Sequence, residues 1–409
     1  MDQMSSVPPY PPRRPLPPAL PAAVSFSGDR GEFRRLVTRG AALELITIGF
    51  YRFWLATDIR RHLWSNTSAD GDAAEYTGRG RELLVGFLFA LAILVPIYLA
   101  YFIVGLEAER FKAFASIPLV LFFYLFGQFA IYRARRYRLT RTVWRGVRFW
   151  MDGSGWAYAA RAALWGVLTG LTLGLILPWR EAALERYKMR HCHYGDLQGS
   201  FEGRGWEFFQ RGWKLWFVAI LPLIVAVLAP VFRSVAGAPP GGSAIVGLLM
   251  LIWLFSLPFI YGTFKAIEWR WWVSGIRFGD VRFESVLPNG ALVGLYWKVI
   301  GWSLLIGVLF LVYLFACAGL MTGVTDMAHL AVKLRGSIAM LVAAGIGYLA
   351  VILAINVVVR VYLVRDVWAR VAAATDVHGL DAAADVRASG DLANALGEGF
   401  AGGLDVVGF

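Results

Sequence analysis

Six apolar blocks, each close to the length that crosses a hydrocarbon core, constrain this chain more than any other feature. They run from Leu83 to Val104, Ala113 to Tyr132, Leu215 to Phe232, Ala244 to Phe264, Leu292 to Leu320 and Ser337 to Val359. A helix needs about 20 such residues to cross about 30 Å of lipid, and the only Lys or Arg inside the blocks is Lys298. Of all residues, 58% are hydrophobic and 17% charged, against roughly a quarter charged in a soluble domain. The expected fold is therefore an all-α polytopic membrane protein with three transmembrane helical hairpins.

The net charge of +12 agrees with this reading. If the six blocks span, the turns on one side hold only Arg110, Lys112, Arg233, Lys333 and Arg335. Nearly all the other basic residues then lie with both termini on the opposite side, which the positive-inside rule makes cytoplasmic. A basic protein can also bind nucleic acid, but that requires a soluble basic face, so nucleic acid is excluded as a partner. Anionic lipid headgroups are the expected partners, and a bacterial inner membrane is the expected location.

Two shorter stretches, Ala41 to Thr57 and Trp156 to Trp179, fit this arrangement poorly as spans. Either one crossing would put Arg-rich segments on opposite faces. They read as re-entrant, interfacial or protein-buried helices; full spans, giving eight crossings, are the alternative.

The chain also repeats itself. A shift of 125 residues lays Thr47-Ile48-Gly49 on Thr172-Leu173-Gly174, Trp54 on Trp179, Arg61 on Arg186, and Gly78-Arg79-Gly80-x-Glu82 on Gly203-Arg204-Gly205-x-Glu207. A second alignment, shifted by 129, sets Gly146-Val147-Arg148-Phe149 on Gly275-Ile276-Arg277-Phe278. Tandem membrane repeats over residues 25–165 and 166–290 follow, then a third hairpin over 291–370. They are flanked by a proline-rich tail, 1–24, and an acidic tail, 371–409, holding Asp376, Asp381, Asp385, Asp391 and Asp405. Each connector holds a Gly-Asp turn among aromatics, such as Tyr194-Gly195-Asp196 and Phe278-Gly279-Asp280, with Asp70-Gly71-Asp72 as a third. The alternation Ile276, Phe278, Val281, Phe283 predicts short cytoplasmic β-hairpins.

Ionisable groups in lipid are functional candidates. Glu44 and Arg52, on one side of a helix, together with the turns at Thr47, Gly49, Thr172 and Gly174, predict a pocket between repeats. Arg79 and Arg204, in Gly-Arg-Gly turns, and Arg133, Arg135 and Arg136 predict headgroup contacts. Trp144, Trp150, Trp156, Trp206, Trp213, Trp269, Trp271 and Trp272 read as interfacial anchors. His191-Cys192-His193 lacks the second ligand pair that a zinc site draws on, so neither metal nor cofactor is expected. Cys192 and Cys317 form no disulfide framework.

Several of these segments resemble the YjgN-like family of bacterial inner-membrane proteins, a domain of unknown function. The resemblance is carried by Phe26-Ser27-Gly28 leading to Glu32-Phe33, Thr47-Ile48-Gly49-Phe50-Tyr51 to Trp54, Arg60-Arg61 through Trp64 to Asn66-Thr67, Thr172-Leu173-Gly174 to Pro178-Trp179, and the ending Glu398-Gly399-Phe400 to Leu404-Asp405. The proline-rich head and Arg52 depart from the family pattern. The resemblance implies location and fold and carries no catalytic residue. With no nucleophile or dinucleotide motif in the sequence, an enzyme is not expected. A transport- or permeation-related protein, or a scaffold acting on lipid through a basic, Trp-rich face, is.

Overall fold

The computed structural model describes residues 21–107, 112–236, 243–322, 338–390 and 392. The proline-rich head through residue 20, Asp391, Asp405 and the Glu398-Gly399-Phe400 ending lie outside the described residues. Strand β1 (Ala22–Phe26) leads into α1 (Arg30–Ile46) and α2 (Arg52–Ser65), which return to β2 (Thr67–Ala69), β3 (Asp72–Ala73) and β4 (Glu75–Tyr76). Helices α3 (Gly80–Glu107) and α4 (Lys112–Thr140) come back to β5 (Thr142–Trp144) and β6 (Val147–Met151). Next, α5 (Gly155–Leu171) and α6 (Leu177–Arg190) lead to β7 (Cys192–Tyr194) and β8 (Leu197–Phe201). Then α7 (Gly205–Ala236) and α8 (Ser243–Gly275) lead to β9 (Ile276–Phe278) and β10 (Val281–Ser285). The last pair is α9 (Val293–Thr322) and α10 (Ile338–Val359), which runs through a π-helical turn (Arg360–Arg365) into α11 (Asp366–Ala373) and β11 (Thr375–His378).

The strands overturn the all-α expectation. They form one 11-stranded antiparallel sheet in the order β3-β2-β1-β11-β10-β9-β8-β7-β6-β5-β4. Its two edges, β3 and β4, are separated only by Ala74, whose N–H bonds to Thr67 O at 3.0 Å. The sheet is thus a nearly closed barrel in which each β-hairpin pairs with the next. Phe149 on β6 pairs in register with Tyr194 on β7, Ser200 on β8 with Arg277 on β9, and Phe283 on β10 with Val377 on β11. The first and last strands described meet where Ala22 on β1 pairs with Val377 on β11. The reason is physical: an exposed edge strand presents unpaired N–H and C=O groups, and an isolated hairpin is marginal in water. Short hairpins gain stability by pairing edge to edge until few edges remain.

The turns between paired strands follow the residues expected there. Asp70 and Gly71, like Arg145 and Gly146, both have positive φ, as a type I′ turn requires. Arg145 is held by Asp70 and Asp72 at 2.7 and 2.5 Å. The segments of the 129-residue alignment are not equivalent, since Val147–Met151 follows its turn whereas Ile276–Phe278 precedes its own. Val281-Arg282-Phe283 is the counterpart of Val147-Arg148-Phe149 in place and sequence.

Five helical segments are long and apolar enough to cross a membrane: Gly80–Ile103, Gly205–Val225, Gly247–Gly275, Val293–Leu320 and Ile338–Ala373, among the described residues. The sixth expected block lies in α4. Neither doubtful stretch is one continuous helix. The first breaks at Thr47, whose Oγ1 donates to Leu43 O at 2.7 Å and accepts from Tyr51 N at 2.9 Å. Thr172 repeats this with Leu168 O and Ile176 N. Both breaks place an apolar residue in the left-handed region, Ile48 at φ 52° and Leu173 at φ 50°, followed by Gly49 and Gly174. Because both ends of each short hairpin join the same sheet, neither carries the chain from one face to the other.

The Gly-Arg-Gly repeats are explained by close backbone approach. A Cβ on Gly80 would lie 2.8 Å from Trp54 Cα, and one on Gly205 would lie 2.8 Å from Trp179 Cα. Each glycine lets a long helix cross the first turn of the short helix before it. The main core joins strand residues Tyr194, Phe278, Val281 and Val377 to Met189, Phe208, Ile267 and Trp271 on α6 to α8. Phe149 reaches Phe278, two strands beyond its partner β7, at 5.8 Å, so aromatic side chains meet across the barrel.

Candidate functional site

The six residues expected to form one pocket are divided among separate places. Glu44 pairs with Arg360 at 3.1 Å, and the Arg52 guanidinium lies over the Phe53 and Phe87 rings. Thr47 and Gly49 form the tip of the α1–α2 hairpin, where Ile48 is 90% exposed. Thr172 and Gly174 form the tip of α5–α6, where Gly174 lines an apolar cleft. Of the arginines expected to meet headgroups, Arg79 and Arg204 are exposed, while Arg133 and Arg136 are half-buried. Arg135 turns inward to Glu185 at 3.0 Å. Trp271, read as an interfacial anchor, is instead buried and stacks on Phe208 at 4.7 Å.

Glu185 is the centre of a highly charged interior space. It sits on α6, where positions 181, 185 and 188 fall on one face by helical spacing. Glu181, Glu185 and Lys188 line a chamber of about 260 Å³ with Arg135 from α4 and Lys265 and Glu268 from α8. Arg135 and Lys188 both pair with Glu185. Lys265 pairs with Glu268 at 2.6 Å, and Glu181 takes its neighbour Arg180 at 2.7 Å. Trp269, Trp271 and Trp272 form part of the wall, with Arg135 5.9 Å from the Trp272 ring centroid.

Burial alone would raise the Glu185 carboxyl, but the Lys188 and Arg135 charges, with hydrogen bonds from Lys188 and Trp272, outweigh it and hold the group at about 2. One turn earlier, burial dominates and pushes Glu181 above the ordinary carboxylate range despite Arg180 and Lys188. Two carboxylates on one helix face are thus driven in opposite directions, a pattern that marks functional sites as well as structural ion networks.

Below this chamber, on the side of the long helices, lies an apolar cleft of about 610 Å³. Its walls are Leu173, Gly174 and Leu175 at the α5–α6 tip, Gly212, Trp216 and Ile220 on α7, Leu257 and Pro258 on α8, and Ile300 on α9. Trp216 Nε1 donates to Leu173 O at 3.1 Å, fixing the tip against α7. Tyr261 and Tyr296, edge to face at 5.0 Å, line both cleft and chamber. A third space of about 340 Å³, walled by Trp64, Trp269, Trp272 and Trp368, shares Arg135, Trp269 and Trp272 with the chamber and continues toward the sheet.

The His191-Cys192-His193 run disperses. His191 bonds Asp152 at 2.7 Å, His193 stacks on Trp150 at 4.1 Å, and burial pushes the Cys192 thiol up to about 12. Among the described residues, no three His, Cys, Asp or Glu side chains converge on a metal position.

The sequence reading missed Glu181, Glu185, Lys188, Lys265 and Glu268. These residues stand in segments rich in basic residues at the i,i+3 and i,i+4 spacings of ordinary solvated helix pairs, so nothing local marks them as inward-facing. A family model described as "Bacterial protein of unknown function (DUF898)" matches residues 21–298. No curated protein and no solved structure matches the chain.

Proposed function

The chain belongs to this family of bacterial proteins of unknown function, and from that premise we propose that it is a multi-pass membrane protein that binds an amphiphile drawn from the bilayer. One observation carries the reading: an apolar cleft among the long helices shares Tyr261 and Tyr296 with a chamber of ionised groups. Apolar chains bury favourably in such a cleft, and a polar head finds charged partners just beyond it. The short α5–α6 hairpin is central to the arrangement. Its 17 and 14 residues reach about 25 and 21 Å at 1.5 Å per residue, short of a bilayer core, so the long helices beside its tip stay open to lipid.

Basic residues concentrate on the barrel side, which supports a cytoplasmic barrel and an inner-membrane location by the positive-inside rule. The aromatic packing across the barrel, from Phe149 to Phe278, favours binding within the cleft over permeation along the barrel axis. The exposed Arg79 and Arg204 immediately precede the long helices α3 and α7, where headgroup contact is geometrically available. Enzymatic chemistry plays no part in this reading.

Gly212 offers the test, because a Cβ there meets only the Phe264 ring at 3.8 Å. Gly212→Trp fills the cleft. Lipid extracted from detergent-purified protein should fall several-fold in this variant while its elution volume and melting temperature hold. Undiminished lipid would contradict the reading.

A further inference from the structure

The ion pairs around the chamber do not balance. Glu268 takes Lys265 at 2.6 Å and Glu181 takes Arg180 at 2.7 Å, one cation to one carboxylate in each case. Glu185 takes two, Arg135 on Oε2 at 3.0 Å and Lys188 on Oε1. The extra positive charge therefore lies between α4 and α6, where Arg135 and Lys188 share a single partner. Their side chains are 17% and 13% exposed, so water answers this charge poorly. Burial also raises the Glu181 carboxyl, and any protonation there moves the balance further to the positive side. Donors are in surplus as well. Both Glu185 oxygens are engaged, while Arg135 Nη2 donates to the Met189 thioether at 3.3 Å, a weak acceptor, and the Lys188 ammonium carries more donors than one oxygen takes up.

Resting on the amphiphile reading above, we infer that the head seated here is an anionic phosphodiester with no ammonium of its own, held by Arg135 and Lys188. Guanidinium and ammonium both make charge-assisted bonds to phosphate oxygens, and those oxygens take up the donors that Glu185 and Met189 leave in excess. The single charge of a phosphodiester matches the single surplus cation. A zwitterionic head brings an ammonium into a space whose carboxylates already hold cations, and a buried ion without a partner is expensive. An uncharged head leaves the surplus unanswered. The route follows from shared walls. Tyr261 and Tyr296 line both cleft and chamber, so a head carried past the two tyrosines enters the chamber while its acyl chains stay in the cleft.

The test is a competition read by native mass spectrometry on lipid-depleted, detergent-purified protein. Equimolar phosphatidylglycerol, phosphatidylethanolamine and diacylglycerol with identical acyl chains are added. Phosphatidylglycerol adducts should exceed each of the others by about tenfold, equivalent to about 1.4 kcal/mol. Lys188→Gln leaves Arg135 and Glu185 paired one to one and should bring the ratio to phosphatidylethanolamine close to one. Arg39→Gln, on the exposed face of α1, should leave the ratio as in the parent. Excess inorganic phosphate should not displace phosphatidylglycerol. Equal or stronger phosphatidylethanolamine or diacylglycerol binding to the parent, an unchanged ratio in Lys188→Gln, an equal fall in Arg39→Gln, or displacement by phosphate would overturn the anionic lipid head and leave the amphiphile site standing. Absence of all three adducts, or adducts that survive Gly212→Trp, would remove the site itself.

Discussion

The two short hairpins, α1–α2 and α5–α6, share helix lengths of 17 and 14 residues, a Thr-capped break and a Gly-Arg-Gly crossing. Their chemistry differs. At the 125-residue offset, Glu181, Glu185 and Lys188 of the second fall on Ala56, Arg60 and Leu63 of the first, and Trp216 falls on Leu91. The first hairpin ends in an exposed Ile48, while the second anchors its tip to Trp216 and lines both cleft and chamber. What the copies share is therefore scaffold, and what makes a site lies where they differ.

Removing an ion partner from each hairpin should separate the two most. Glu185→Gln leaves Arg135 and Lys188 buried without their carboxylate, which should cost about 3–5 kcal/mol of unfolding free energy. Glu44→Gln breaks a pair whose side chains are about one-fifth exposed and should cost about 1 kcal/mol or less. Denaturant titration in detergent measures both, and equal losses would erase the distinction.

The shared scaffold should respond alike in the two copies. Gly80→Val and Gly205→Val each force side-chain atoms into the backbone of Trp54 or Trp179. Each should lower stability by about 1–3 kcal/mol. Thermal unfolding that distinguished them clearly would show that the crossings are not equivalent.

The smallest effect is on pH. Glu185 is depressed, so its contribution is complete above the ordinary carboxylate range near 4.5 and is lost as pH falls toward about 2. Glu181 is raised, so its contribution is complete below that range and is lost as pH rises through its folded value. The melting temperature of Glu181→Gln should therefore gain on the parent as pH rises from about 4. The first hairpin, with Ala56 at the matching place, has no such group. A difference between parent and variant that stays constant with pH would contradict this.

Much of the helical layout was legible because a membrane span is a long, local signal, and five of the six blocks reappear as apolar helices. The barrel was not, because its strands are two to five residues long and its register joins residues as distant as Ala22 and Val377. The Gly-Asp hairpins were readable singly, since turn chemistry is local; their mutual pairing is not. The expected pocket went to Thr47, Gly49, Thr172 and Gly174 because repetition drew attention to them, and these turn out to be caps and breaks. Glu185 carried no such signal, since a buried carboxylate and a solvated one look alike in an Arg-rich run.

The most direct test of the amphiphile site is photolabelling in bilayers with a phospholipid bearing a diazirine at the end of its acyl chain, followed by peptide mapping. The account predicts labels concentrated between Gly212 and Ile220 on α7 and around Leu257 and Ile300, with far fewer on α3 and α10. Labels spread evenly over all the long helices, unchanged by Gly212→Trp, would contradict it.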